Sequence, residues 1–270
     1  QRLFTSGAAG DSSSGSGGLT AFNSDGFSLG SAGNNNGNGV AYVSWNWLGA
    51  NGTASNSNGS ITSTVSANTT SGFSIVSYTG NGTAGATVGH GLGSKPSVIF
   101  IKARSGSNNW CSYHTGLNAT KFLRLNSTNA ESTRTESFND TEPTSSVFSL
   151  GTDGEVNSNT VPYIAYCFAP IKGFSKFGIY TGNGQTTDGL EPFIYLGFKP
   201  AWILYKRASD GTNNWSIFDN KRDPHNEIEK QLNPNINNAE GTSGRGDFLS
   251  NGWKVGGGNS GSVNNSGTTY

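Results

Sequence analysis

Methionine is absent from the 270 residues, and cysteine, proline and charged side chains are scarce. Charged residues make up 13% of the chain and their formal charges cancel, so no basic face is available for a nucleic-acid partner. The longest apolar runs, of about six residues, are too short to span a bilayer. The sequence therefore predicts neither nucleic-acid binding nor membrane insertion. The missing methionine leads us to expect a segment of a longer protein.

Cysteine occurs only twice, at Cys111 and Cys167. A disulfide framework normally shows more cysteines, at repeated positions. We therefore expect both side chains to be buried free thiols, which suits folding in a reducing cytoplasm.

Glycine is abundant, with 40 residues, and it occurs among many Asn, Ser and Thr residues. Such a composition can indicate a disordered chain. Aromatic residues, however, make up 11% of the sequence and lie within β-branched runs, which indicates a folded protein. Disorder stays open for residues 7–18 and 51–60, where no apolar periodicity exists.

A repeated pattern is the most informative feature that is present. Tyr-Thr-Gly-Asn-Gly occurs at residues 78–82 and again at residues 180–184. Each copy is followed, in the same order, by Lys-Pro, by an apolar run ending in Lys, and by Asn-Asn-Trp, which ends at Trp110 and Trp215. Matches in one order over this distance indicate a repeated β-rich unit of about 100 residues.

Shorter matches extend the repeat in both directions. Leu-Asn and Asn-Ala-Glu follow each tryptophan, with residues 125–126 matched to 232–233 and residues 129–131 to 238–240. The back half of the unit also recurs near the start of the chain, where residues 42–48 match residues 163–169. The sequence thus predicts four parts: residues 1–50 as the tail of a first unit, 51–70 as a linker, 71–169 as a complete second unit, and 173–270 as a third unit lacking its last strand.

Short apolar runs bounded by turn residues indicate strands, as at residues 98–101 and 202–205. Residues 73–78 and 174–180 are also typical of strands, and alternating aromatics in residues 42–47 and 163–168 predict one inward face. Turn signals recur every 8–12 residues or so, which is typical of a sandwich or barrel. We predict an all-β fold of tandem, concanavalin A- or jelly-roll-like antiparallel β-sandwiches.

The repeated tryptophans, Trp110 and Trp215, have two interpretations. Each could fill a sandwich core, or it could stack against a ligand. We expect the core position, because the residue recurs at the same place in each unit.

The histidines and the carboxylates are the candidates for catalysis and metal binding. His90, His114 and His225 are scattered and lack the carboxylate or cysteine spacing of a metal site. A carboxylate cluster in the third unit could form a glycosidase pair, but basic residues are interleaved with it and predict a solvated mixed-charge loop. The cluster contains Asp219, Asp223, Glu227 and Glu229. We expect no catalytic residues, no metal, no cofactor and no enzyme activity.

Several long strings resemble one known family. They are residues 59–82, His-Gly-Leu-Gly-Ser-Lys-Pro at 90–96, residues 143–151 and residues 218–224. They are similar to a repeat domain of virion-associated, tail fibre-like proteins of tailed, often marine, bacteriophages, which is described as concanavalin A-like. The resemblance implies a β-sandwich on the outside of a virus particle, and it brings no catalytic or ligand residues with it.

The function expected from these observations is that of a structural protein on the virion surface, in a tail fibre or on the capsid. It would make weak, multivalent contacts with host surface glycans. Trp253 and Tyr113 are conceivable aromatic platforms, but the ligand-binding residues stay undetermined. The expected partners are other virion proteins, further copies of the chain, and host polysaccharide. The alternatives are a capsid decoration or spacer without a ligand, an extracellular filament or surface-layer protein, and a polysaccharide depolymerase.

Overall fold

A computed structural model describes residues 1–13, 15–187, 189–242, 246–256 and 260–270. In these parts the chain is an all-β protein whose paired strands are antiparallel. Its helices are short turns, and among the described residues none is long and apolar enough to cross a membrane. They are the 3₁₀ turn Gly15–Gly17, α1 (Gly33–Asn36), α2 (Thr135–Phe138) and α3 (Ser260–Val263).

The second unit is built on an eight-stranded sheet. The strands of the first and second units are β1 (Leu19–Phe22), β2 (Phe27–Leu29), β3 (Ala54–Asn56), β4 (Ser63–Asn68), β5 (Phe73–Thr79), β6 (Ala86–Gly89), β7 (Val98–Ala103), β8 (Cys111–His114), β9 (Lys121–Arg124), β10 (Ser132–Thr133), β11 (Val147–Leu150) and β12 (Pro162–Phe168). Strands β1 and β2 form a separate hairpin. The large sheet has the order β10-β9-β8-β7-β12-β5-β4-β3, and β6 pairs with β11 in a second layer.

The core of the second unit lies between these two layers. Val76, Ile99 and Ile101 are fully buried on the large sheet, and Val88 and Phe148 are fully buried on the small one. Each such side chain contributes about 1.5–3 kcal/mol by leaving water. Along β12, buried and half-buried residues alternate, as the sequence predicts.

The third unit repeats part of this arrangement with shorter strands. They are β13 (Phe193–Tyr195), β14 (Trp202–Tyr205), β15 (Ser216–Asp219), β16 (Lys230–Gln231), β17 (Gly241–Thr242), β18 (Gly246–Leu249) and β19 (Gly252–Val255). Strand β13 pairs with β19, as β6 pairs with β11, and β14 pairs with β15, as β7 pairs with β8. A separate apolar cluster, which includes Phe218, Phe248 and Trp253, forms its core.

Both cysteines are free and buried, which confirms the sequence prediction. Burial raises the pKa of the Cys111 thiol and of the Cys167 thiol well above the usual range. Because the thiolate is the reactive form, neither side chain is activated for chemistry.

Residues 51–70 are not the linker that the sequence indicates. They contain β3 and β4, which extend the large sheet beyond β5. The sequence prediction missed them because their side chains are mostly small and polar, whereas sheet pairing uses the backbone. Residues 7–18, for which the sequence left disorder open, also contact the second unit, since Ala9 forms a β-bridge with Ser107. Residue 14 lies outside the described residues.

Two predicted strands are absent, at residues 42–48 and 174–180. Strand β12, which residues 42–48 match in sequence, is hydrogen-bonded on one side to β5 and on the other to β7. Among the described residues no strand flanks residues 42–48 in this way, and Tyr42 and Trp47 are exposed. Apolar alternation is therefore insufficient to make a strand when the hydrogen-bonding partners are missing.

The Tyr-Thr-Gly-Asn-Gly motif is held in place by a buried asparagine. In the second unit, the Asn157 Oδ1 accepts the Asn81 backbone N–H at 2.9 Å, and its amide donates to the Thr83 carbonyl at 3.0 Å. Gly82 has a φ of 69°, a conformation that favours glycine. The motif leads from β5 to β6, so it connects the two layers and is not a hairpin turn.

The third unit repeats these contacts through Asn264, which is also fully buried. Its Oδ1 accepts the Asn183 backbone N–H at 2.8 Å, and its amide donates to the Gln185 carbonyl at 2.8 Å. In addition, Tyr180 stacks on Tyr270 at 4.8 Å between ring centroids. The second unit has the same stack between Tyr78 and Tyr163, so the repeat in the sequence is a repeat of buried polar contacts.

Candidate functional site

The repeated tryptophans are buried, but neither belongs to a sandwich core. Trp110 and Trp215 lie in a third apolar cluster between successive units. Its buried members are Trp110, Leu117, Leu123, Leu125, Ala208 and Trp215. The prediction that the tryptophans fill a sandwich core was therefore wrong, because they pack at the junctions between units.

The junction between the second and third units is formed by two hydrogen bonds to the backbone. The indole Nε1–H of Trp215 donates to the carbonyl oxygen of Arg124 at 3.0 Å. In the opposite direction, the backbone N–H of Glu131 donates to the carbonyl of Ala208 at 2.8 Å. A buried indole N–H needs an acceptor, so this contact fixes where the third unit sits.

The junction between residues 1–11 and the second unit repeats this pair of bonds. The indole Nε1–H of Trp110 donates to the carbonyl of Phe4 at 3.0 Å. The backbone N–H of Asp11 donates to the carbonyl of Arg104 at 2.8 Å. In each junction the two backbone groups are seven residues apart, from Phe4 to Asp11 and from Arg124 to Glu131. The same surface is thus used twice.

Residues 1–11 make further polar contacts with the second unit. Arg104 forms an ion pair with Asp11 at 2.8 Å, and Lys102 Nζ donates to the Ala8 carbonyl at 2.9 Å. The Asn108 backbone N–H donates to the same Ala8 carbonyl, also at 2.9 Å. Lys102 is fully buried, and burial lowers the pKa of its ammonium group.

Lys206 takes the position of Lys102 in the third unit, and it too is buried. Its Nζ donates to the Arg207 carbonyl. Burial disfavours the charged form and lowers the pKa of Lys206 to about 8. The second and third units therefore each carry a buried lysine whose pKa is lowered.

Residues 45–47 form an additional contact with the third unit. Trp45 Nε1 donates to Asp219 Oδ2 at 3.2 Å, and the Arg222 guanidinium carbon lies 5.7 Å from the centre of the Trp45 ring. Trp47 packs edge-on against Trp202, with ring centroids 5.4 Å apart. A segment near the start of the chain is thereby attached to the last unit.

The carboxylate cluster of the third unit is not the fully solvated loop that the sequence predicts. Asp219 is 3% exposed and forms an ion pair with Arg222 at 2.7 Å. Burial acts to raise the pKa of Asp219, but hydrogen bonds from the backbone and side chain of Arg222 outweigh it, so the pKa is lowered. Asp223 accepts the backbone N–H groups of Glu229 and Lys230. These carboxylates stabilise the loop.

The histidines have structural surroundings. The Nδ1 of buried His90 accepts the Leu92 backbone N–H, and its Nε2 lies 3.3 Å from the Thr144 carbonyl. This pattern requires the neutral ring, and burial lowers the pKa of His90 accordingly. His225 is exposed and lies in the third unit, whereas His90 and His114 lie in the second. Among the residues that the structure describes, no histidine, cysteine and carboxylate side chains gather in a group that could hold a metal.

Trp253 and Tyr113, which the sequence indicated as conceivable sugar platforms, are both buried. The exposed aromatic rings lie elsewhere, and Phe22, Phe174 and Tyr195 are the most exposed, at 60% or more. Phe22 lines an open cleft of about 410 Å³ between residues 1–4 and the β1 hairpin. Arg2 and Asn35 also line this cleft, and within the described part of the chain the Arg2 Nε and the Asn35 Oδ1 are buried without a hydrogen-bond partner.

The sequence alignment of the units needs one correction, which the tryptophans reveal. The Trp110 backbone N–H donates to Asn126 Oδ1 at 3.0 Å, and the Trp215 backbone N–H donates to Asn235 Oδ1 at 3.1 Å. Asn126 therefore corresponds to Asn235, not to Asn233. Both positions hold asparagine, so the letters alone could not distinguish them.

Several residues of the junctions were missed by the sequence analysis. Phe4 and Arg124 contribute only their carbonyls, and such a contact leaves no side-chain signature. Asn157 and Asn264 were also missed, although a signal existed. Each of these asparagines follows a valine and lies six residues before a tyrosine, which is Tyr163 in the second unit and Tyr270 in the third.

Comparison with known proteins adds the family. A family model described as Domain of unknown function (DUF7483) matches residues 1–270. No curated protein and no solved structure matches the chain. The boundaries of the units within the match stay predictions from the sequence.

Replacing Trp215 by Phe should destabilise the junction, because the Arg124 carbonyl loses its indole donor and the smaller ring fills less of the apolar cluster. We expect a loss of about 1–2 kcal/mol in the free energy of unfolding of the third unit, measured by urea titration. Trp202→Phe is the matched control, since Trp202 Nε1 is buried without an acceptor among the described residues. Equal effects of the two substitutions would contradict the role given to the indole N–H.

Lys206 should make stability depend on pH in a defined window. Its pKa is about 8 in the folded chain and near the ordinary 10.5 when unfolded. Between these values the unfolded chain binds more protons, so stability rises with pH. Relative to Lys206→Met, the natural chain should gain about 1–2 kcal/mol between pH 8 and about 9.5.

Urea midpoints of both proteins at several pH values measure this difference. The tyrosines and thiols titrate in both proteins, so their contribution cancels when one curve is subtracted from the other. A difference that does not change with pH would show that Lys206 keeps its ordinary pKa.

Proposed function

Since the chain belongs to the DUF7483 family of domains of unknown function, we propose its role from its repeated junction. We infer that it is a structural, non-enzymatic protein in which β-sandwich units are held head to tail, and that it projects from a surface and makes weak contacts with glycans. The observation that carries this proposal is the pair of identical hydrogen bonds at Trp110 and Trp215.

A junction of this kind favours an extended array over a catalytic cleft. The indole bonds and the apolar cluster bury the surface between successive units, so each unit keeps one orientation to the next. Asp219 and His90, the buried acid and the buried histidine among the candidates for chemistry, are instead used in structural contacts. Repetition then supplies avidity, because several weak sites on one rigid support act together.

The glycan contact is supported by the cleft beside the β1 hairpin. Its volume, about 410 Å³, is within the range of small-molecule sites. Phe22 offers an exposed ring for stacking on a sugar face, and the polar residues Arg2, Asn34 and Asn35 also line the cleft. A sugar ring, with an apolar face and hydroxyl groups at its rim, has the complementary chemistry.

The setting that we propose is the outside of a tailed-phage particle, in a tail fibre or as a capsid decoration. It rests on the resemblance of the repeated strings to virion-associated repeat domains. The partners would then be other virion proteins, further copies of the chain, and polysaccharide of the host surface. The chain's zero net charge suits a surface that works by hydrogen bonding and stacking rather than by long-range attraction.

Antibody against the chain, used to label intact particles for electron microscopy, should place gold on phage tails or heads. Labelling at tail tips supports an adhesin, and regular labelling of heads supports a capsid decoration. Gold on filaments that lack capsid protein would contradict the phage setting and favour an extracellular filament.

Phe22→Ala should weaken binding to host polysaccharide when many copies of the chain are displayed on beads, because the stacking surface of the cleft is removed. We expect about a tenfold loss of bead retention, with multivalency amplifying a smaller loss per site. Phe174→Ala is the matched control, since this ring is exposed but lies outside the cleft. Release of soluble sugar by the natural chain would instead indicate a depolymerase.

A further inference from the structure

The third unit carries a copy of the surface that accepts tryptophan in the first and second units. The corrected register, with Asn235 at the position of Asn126, places Asn233 at the position of Arg124 and Glu240 at that of Glu131. These two positions supply the carbonyl and the backbone N–H of a junction.

The Asn233 carbonyl has the surroundings of its counterpart except for the indole. In the second unit, the Arg124 carbonyl accepts the Ser127 backbone N–H at 3.2 Å and also the indole of Trp215. In the third unit, the Asn233 carbonyl accepts the Ile236 backbone N–H at 3.4 Å. The local turn is therefore formed, and a carbonyl oxygen can accept two hydrogen bonds.

Several side chains of residues 232–240 are more exposed than their counterparts in residues 123–131, as expected for a junction surface that no partner covers. Leu123 and Leu125 are buried at 5% and 6% exposure under Trp215. Their counterparts, Leu232 and Pro234, are only half-buried, and Glu240 is exposed where Glu131 is half-buried. Residues 232–240 thus present an apolar patch beside backbone groups arranged for a partner.

The accepting segments carry an acid at the same position, as Asp11, Glu131 and Glu240. Among the described residues this acid forms an ion pair across the junction only at Asp11, since Glu131 pairs with Lys121 and Glu240 pairs with Arg222 inside their own units. The partner expected at residues 232–240 is an Asn-Asn-Trp face of this repeat, because such a face supplies the indole donor at both junctions.

We propose that residues 232–240 are a docking surface for a further unit of this same repeat. Its tryptophan indole donates to the Asn233 carbonyl, and one of its backbone carbonyls accepts the Glu240 N–H. The inference rests on the structural part of the proposed function, and it is independent of glycan binding and of the phage setting, so their failure would leave it standing.

A longer chain tests the proposal directly. Tyr270 stacks on Tyr180 as Tyr163 stacks on Tyr78, so a second copy of residues 164–270 joined after Tyr270 continues the repeat in register. This protein contains the whole natural chain and one appended unit. Asn238→Cys is introduced in the natural part and Gly211→Cys in the appended copy, both at exposed positions, and a short bis-maleimide is added.

The natural junction supplies the reference. In the 270-residue chain, Asn129→Cys with Gly211→Cys joins two exposed positions, and a Cβ at Gly211 would lie 3.6 Å from the Asn129 Cα, so this pair should crosslink. The natural thiols, Cys111 and Cys167, are buried and should not interfere. We expect the new pair in the longer chain to crosslink with a yield within about twofold of the reference.

Substitution of the appended tryptophan separates docking from mere proximity. Trp215→Ala in the appended copy should lower the crosslink yield by about tenfold, as truncation of a buried anchor does. Trp202→Ala in the same copy should leave the yield unchanged. A low yield in the unsubstituted chain, or equal yields with and without the Trp215 indole, overturns the proposal. An appended unit that is digested by trypsin also counts against it, because docking is expected to support that unit.

Discussion

Each junction in this chain depends on a buried indole N–H that donates to a backbone carbonyl of the neighbouring segment. Trp215 donates to the Arg124 carbonyl, and Trp110 donates to the Phe4 carbonyl. The acceptor is a backbone carbonyl, so the residue that supplies it can be aromatic, as Phe4 is, or cationic, as Arg124 is. The surrounding leucines then exclude water from the bond, which increases the cost of leaving the indole unpaired.

Within each unit the corresponding constraint is a buried asparagine. Asn157 and Asn264 satisfy backbone groups of the Tyr-Thr-Gly-Asn-Gly segment that would otherwise be buried without partners. The glycines of the motif make room for this contact. A Cβ on Gly80 would approach the Ser158 carbonyl to 2.4 Å, and one on Gly182 would approach the Asn265 carbonyl to 2.3 Å. Sheet layers and junctions are therefore held by the same means, a side chain that completes backbone hydrogen bonding.

Charge has a local role in this nearly neutral protein. Asp219 and Arg222 pair beneath Trp45, and Arg104 pairs with Asp11 where residues 1–11 meet the second unit. Partly buried pairs of this kind position segments more than they stabilise the fold. This use of the charged residues agrees with a proposed function in which surface contacts rely on aromatic stacking and hydrogen bonding.

The sequence by itself determined the all-β class, the repeat and the buried free thiols. These follow from local patterns: short apolar runs between turn residues, matches in a constant order, and two cysteines without a framework. The repeat also predicted that Trp110 and Trp215 share one environment, because equal positions in equal units have equal neighbours.

Only the tertiary structure decided what that environment is and which predicted strands exist. The acceptors at Phe4 and Arg124 are carbonyls, which every residue has, so no letter of the sequence marks them. Residues 42–48 have the alternation of β12 but not its two neighbouring strands, and residues 54–56 pair in the sheet without any alternation. Strand formation and docking both depend on which backbone groups meet, and that is a property of the folded chain.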